Sequence, residues 1–148
     1  MRRFALAVFV LSATSCIFSQ SLPVKSGLWE NTVYDDNGKP SMKALSCMTP
    51  SSFADMLGSV NKHPGCKITA QNMTSKSLTV DMSCDRPKVQ MTSRGVLDII
   101  DSEHVRSTTT VKMTIDGKTN ESSSKGSAQF KSSNCGDIKP GDPKILTP

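Results

Sequence analysis

From Cys66 onward the chain alternates between apolar and polar residues. Cys66, Ile68 and Ala70 interleave with Lys67, Thr69 and Gln71. Beyond the polar stretch NMTSKS, Leu78, Val80, Met82 and Cys84 interleave with Thr79, Asp81 and Ser83. A period of two on both arms predicts two half-buried strands joined as a hairpin. Centring that hairpin on Ser75 sets Cys66 opposite Cys84, Ile68 opposite Met82 and Ala70 opposite Val80. Directly opposed β-carbons lie about 4.5–5.5 Å apart, nearer in non-hydrogen-bonded pairs. A disulfide wants about 3.5–4.5 Å, so a Cys66–Cys84 bridge fits a non-hydrogen-bonded pair.

The same period recurs along most of the chain. VQMTSRGVLDII (89–100) and HVRSTTTVKMTI (104–115) flank the polar corner DSE, and in the second Val105, Val111, Met113 and Ile115 share a face. Asp116-Gly117 supplies a hairpin turn before a final strand at about 120–130, with Ala128 and Phe130 facing inward. Nearer the start, SGLWENTVY (26–34) and SMKALSCMT (41–49) flank DDNGKP, whose Asn37-Gly38 is a hairpin signal. Only TPSSFADMLGSV changes period. Its Phe53, Met56, Leu57 and Val60 fall at helical spacing, with Thr49 as N-cap and Pro50 at the first helical position. The sum is a mainly β chain: an antiparallel meander of about seven strands forming a small barrel or half-closed sandwich, with one short helix between strands 2 and 3. Closure would bring the last strand beside the first two.

The N-terminus reads differently. In MRRFALAVFVLSATSCIFSQS two arginines precede an apolar run from Phe4 to about Leu11, then small and polar residues. That order is a secretory signal peptide. The run is too short and too interrupted for the roughly 20 apolar residues that span a bilayer. Cleavage after Ser19 leaves residues 20–137 as a single disulfide-stapled domain and 138–148 as a loose tail with three prolines. The alternative is a lipoprotein leader, residues 1–15, which would make Cys16 the lipidated first residue and tether the domain to a membrane. The expected location is the periplasm or the exterior, with membrane attachment only through Cys16.

Five cysteines occur, at 16, 47, 66, 84 and 135. Either leader removes Cys16 from pairing, and an even number remains, as expected of an exported domain with two disulfides. The hairpin pairs Cys66 with Cys84, which leaves Cys47 for Cys135. No Cys-x-x-Cys is present, so the sulfurs read as structural rather than redox-active.

Chemistry is sparse. Losing Arg2 and Arg3 lowers the formal net charge from +5 to +3, and no Lys/Arg cluster with interleaved aromatics marks nucleic-acid binding. No His-Glu-x-x-His, Gly-x-Ser-x-Gly or phosphate-cradling glycine loop occurs, so no catalytic residue, cofactor or metal site is assigned. An enzyme would need a cleft gathering Asp98, Asp101, Glu103 or His104. Methionine is in excess. Thioethers suit Cu(I), and a copper binder using Met73 and His63 is one alternative, although Met82, Met91 and Met113 fall on inward strand faces and read as packing. Trp29, the only tryptophan, reads as a core nucleus. If the interior is open instead, Trp29, Leu97, Ile99 and Val111 would line a cavity for a small apolar ligand.

GLWE after the leader, CMTP at the helix, the CKI…C hairpin and the closing NCGDIKP together resemble the domain of unknown function 3617 family over nearly the whole mature chain. The resemblance implies a small exported bacterial protein, some relatives being lipoprotein-like, with no activity to carry over. The expectation is a non-catalytic binding or accessory domain of the bacterial envelope, acting on a small apolar ligand or another envelope protein. A soft-metal binder and a hydrolase with an unrecognised site are the alternatives.

Overall fold

Residues with a strict period of two can bury one side only by laying it against one face of a sheet. In the computed structural model, which describes residues 22–146, eight strands and one helix do this in chain order. They are β1 (Gly27–Tyr34), β2 (Pro40–Met48), α1 (Ser52–Val60), β3 (Cys66–Met73), β4 (Ser77–Arg86), β5 (Val89–Ile99), β6 (His104–Ile115), β7 (Lys118–Ser132) and β8 (Lys144–Leu146). All eight form one antiparallel sheet in the order β3-β4-β5-β6-β7-β1-β2-β8. The signal peptide and Cys16 lie outside the described residues, as does the side chain of Phe53.

Of the two forms that the alternation implies, the sheet is the half-closed one, because β3 and β8 are both edges and no barrel closes. Two details differ. The meander runs only from β3 to β7. The β1–β2 hairpin docks beyond it, with β1 paired to β7, because α1 and its flanking turns separate β2 from β3 in the chain. The strand count is eight rather than about seven. Residues expected to be a loose tail return to pair Lys144–Leu146 with Lys43–Leu45, and Pro140 bridges to Cys47. A three-residue ladder is too short to show a period.

The β3–β4 register also departs from simple parity. Cys66 opposes Cys84 and Ile68 opposes Met82, but an irregularity follows, so that Ala70 opposes Asp81 and Gln71 opposes Val80. One extra residue on β3 shifts every later side chain to the other face, and Ala70 is therefore exposed. Thr74 shapes the turn, its Oγ1 accepting from the main-chain N–H of Ser77 at 2.9 Å. The helix begins at Ser52 rather than at Pro50, with Thr49 and Ser52 hydrogen-bonded to each other just before it.

Uninterrupted pairing from β4 through β7 fixes the two faces. One carries Leu78, Val80, Met82, Cys84, Val89, Met91, Leu97, Ile99, Val105, Val111, Met113, Ala128 and Phe130. The other carries Thr79, Asp81, Thr92, Arg94, Arg106, Thr108, Thr110, Lys112 and Lys125. Trp29 and Leu78 are the largest fully buried side chains. Trp29 is sealed by the segment before β1. Its indole N–H donates to the Lys25 carbonyl at 2.9 Å, and its ring meets Phe130 edge-on with centroids 5.9 Å apart. Lys25 in turn donates its main-chain N–H to Ser102, pairs its ammonium with Glu103 and lies over the Phe130 ring. Residues 22–26 thus form a strap held by the β5–β6 corner.

Candidate functional site

The apolar face is covered at its two ends and open between them. At one end lie the strap, Trp29 and Phe130. At the other, α1 runs beside β3. A diagonal of small residues crosses the middle of the face: Ser93 and Gly95 on β5, Ser107 and Thr109 on β6, Ser122, Ser124 and Gly126 on β7. Short side chains there leave the larger apolar groups standing as two separate banks.

The bank near the helix holds an apolar cleft. Val60 and His63 form one wall, and Cys66, Met82, Cys84, Arg86, Val89 and Met91 form the other, around a volume of about 570 Å³. That falls within the roughly 300–1,000 Å³ of small-molecule sites. Met91 is directly opposed to Met113 on β6, so the thioether surface continues past the cleft. Methionine suits such a wall because its unbranched side chain adapts to the shape pressed against it.

Local sequence explains why the wall holds its form. Asp85 donates its main-chain N–H to Gly65 at 2.8 Å, which makes Gly65–Asp85 a hydrogen-bonded pair and leaves Cys66–Cys84 a non-hydrogen-bonded one, the closer kind. The two are joined as a disulfide with Cα atoms 4.0 Å apart. Gly65 has φ +79°, and a β-carbon there would sit 2.3 Å from the Asp85 carbonyl oxygen. The second disulfide, Cys47–Cys135, links β2 to the segment after β7 with Cα atoms 5.4 Å apart.

Arg86 is the polar feature of the cleft. Its Nε donates to the Pro64 carbonyl at 3.2 Å, and its Nη2 lies 4.0 Å from Cys66 Sγ. Among the described residues it takes part in no ion pair, unlike Arg94, which meets Asp81, or Lys131, which meets Glu30. The guanidinium is fixed at the rim with its charge unmatched.

The other singled-out residues fall elsewhere. Trp29, Leu97, Ile99 and Val111 share the apolar face, but none of them lines this cleft. Trp29 is 0% exposed and therefore core. Val111 sits opposite Ser93, four positions along β5 from Leu97, or about 13 Å at strand rise. Met73 and His63 lie at opposite ends of β3. His63 shares its cleft with Met82 and Met91 instead, and the guanidinium in that cleft opposes a cation. Among the described residues no group of three His, Cys, Asp or Glu is placed to hold a metal. Met56, expected on the packed side of the helix, is 51% exposed.

The acidic corner gathers Asp101, Glu103 and His104, but on an exposed turn. His104 Nδ1 lies 2.9 Å from Asp101 Oδ1, while Glu103 is occupied by Lys25. The Glu103 main-chain N–H and the His104 ring hold the Asp101 carboxyl below its ordinary value. Asp98 projects to the polar face, opposite Arg106. Arg86 and the cleft were not singled out by sequence reasoning. The signal available was an arginine at an inward position of β4, two residues after Cys84.

A family model, described as "Protein of unknown function (DUF3617)", matches residues 24–136. This chain belongs to that family. No curated protein and no solved structure matches it.

Proposed function

We propose that this chain is an exported, non-catalytic binding domain of the bacterial envelope, and that its apolar sheet face holds a small apolar ligand in the Met82–Met91 cleft. The observation that carries the reading is the open apolar bank itself. Ile68, Met82, Val89, Met91 and Met113 are only half-buried, although each occupies the inward position of its strand. Side chains at inward positions of a sheet ordinarily disappear under a second layer. A ligand covering them would remove apolar area from water at about 25 cal/mol per Å².

Export is supported by two features. The leader has the charge, apolar run and small residues of a signal peptide, and both disulfides need an oxidising compartment to persist. Intact mass of protein from the envelope tests this part: loss of residues 1–19, or a lipid on Cys16, supports it, and a full-length chain with reduced thiols contradicts it.

The binding part is tested by titrating 1-decanol into protein labelled at its methionine methyls. Signals of Met82 and Met91 should shift while that of Met42, on β2, stays in place, and Val89→Glu should abolish the response. Unchanged Met82 and Met91 signals at saturating 1-decanol would remove the reading.

A further inference from the structure

The cleft is apolar along its length and cationic at one rim. Its wall offers Val60, Met82, Val89 and Met91, and Arg86 stands where the wall meets solvent. Arg86 is exposed, but its guanidinium is tethered. The Pro64 carbonyl takes its Nε–H, and the cystine sulfur lies beside Nη2, so its plane is set without an acidic partner and Nη1 remains available. His63, next to Pro64 in the same loop, adds an imidazole ring to the cleft.

From this charge complementarity, and resting on the apolar-ligand reading above, we propose that the occupant is a single-chain amphiphile with a carboxylate head, its chain lying on Met82 and Met91 and its head on Arg86. Each part of the cleft requires one part of that ligand. A neutral hydrocarbon leaves the oriented guanidinium unmatched. A small hydrophilic anion leaves the thioether wall wet. A metal cation meets like charge at the rim. A carboxylate fits because its two oxygens match the planar donor fork of arginine, and the apolar chain then follows the wall away from the rim.

The test compares decanoate with 1-decanol, which share a chain and differ in the head. Both are titrated into the oxidised protein and followed by the Met82 and Met91 methyl signals. Decanoate should bind the wild type about tenfold more tightly than 1-decanol, the effect of one hydrogen bond to a charged group. Arg86→Met, which keeps an apolar stem at the position, should abolish the preference, so that decanoate binds this variant no more tightly than 1-decanol does. Retained 1-decanol binding shows that this variant is folded. Lys67→Met on the polar face removes the same charge and should preserve the preference. Equal affinities in the wild type, a preference that survives Arg86→Met, or one lost equally in Lys67→Met would overturn the head-group assignment while leaving the apolar cleft standing. Binding of neither compound overturns both.

Discussion

Cys66 and Cys84 face each other across the β3–β4 ladder at a non-hydrogen-bonded position, joined through sulfurs that also form part of the wall of the apolar cleft. The staple thus holds together the edge strand that carries one side of the candidate site. Its sequence separation is 18, against 88 for Cys47–Cys135. In the chain-entropy picture these loops correspond to about 3 and about 4–5 kcal/mol. Urea unfolding of Cys66→Ala/Cys84→Ala and of Cys47→Ala/Cys135→Ala should give losses in that order. Equal losses, or a larger one for the short loop, would show that the crosslinks act through something other than chain entropy.

Gly65 and Gly117 have nearly the same backbone angle, φ +79° and +78°, in different surroundings. A β-carbon at 65 meets the Asp85 carbonyl, whereas at 117 it meets nothing within 4 Å. Gly117→Ala should cost about 1 kcal/mol, the penalty of the left-handed conformation alone. Gly65→Ala should cost clearly more, because the backbone must also move, and it should perturb the Met82 and Met91 signals. Thermal melts of the two variants decide the point, and equal melting temperatures would contradict the close approach.

Trp29 combines burial with a single directed hydrogen bond to Lys25. Trp29→Phe keeps an aromatic ring against Phe130 but leaves the Lys25 carbonyl without its donor and the site underfilled. A loss of about 1–3 kcal/mol is expected, read by denaturant unfolding. The strap should loosen with it, seen as faster amide exchange at Lys25. Unchanged exchange would show that the strap is held by Glu103 and Ser102 alone.

Asp101 gives a pH dependence with a definite sign. Its carboxyl is depressed in the folded protein from a reference value of 3.8. A depressed carboxyl favours folding above the unfolded value, and that contribution disappears as the pH falls through the lower folded value. Asp101→Asn should therefore be less stable than the wild type at neutral pH, with the gap closing on acidification below the reference value. Because the corner is exposed, added salt should also narrow it. A gap that widens in acid would contradict the assignment.

Much of the fold was legible because a period of two survives wherever β4, β5 and β6 pair without interruption. Leu78, Val80, Met82 and Cys84 belong to one face by parity alone, as do Val105, Val111, Met113 and Ile115. Legibility ended where parity ended. The extra residue near Thr69 is invisible in an alternation that reads equally well on either side of it, so Ala70 reads as inward. Lys144–Leu146 is too short to show any period, and its pairing depends on where Cys135 has already anchored the chain. The cleft was hidden for another reason. His63, Met82, Arg86 and Met91 come from a loop and two strands, and only the register of the ladder brings them together. The amphiphile assignment depends on Arg86, whose inward parity was readable but whose partner, the Pro64 carbonyl, was not.

The central claim is that the open apolar bank is a binding surface rather than an imperfect core. Native mass spectrometry of the mature, oxidised protein taken directly from the envelope tests it most directly. The account predicts a retained small molecule of amphiphile mass that is released on partial unfolding and is absent from Val89→Glu. A bare polypeptide mass for the wild type under conditions that keep both disulfides intact would contradict it.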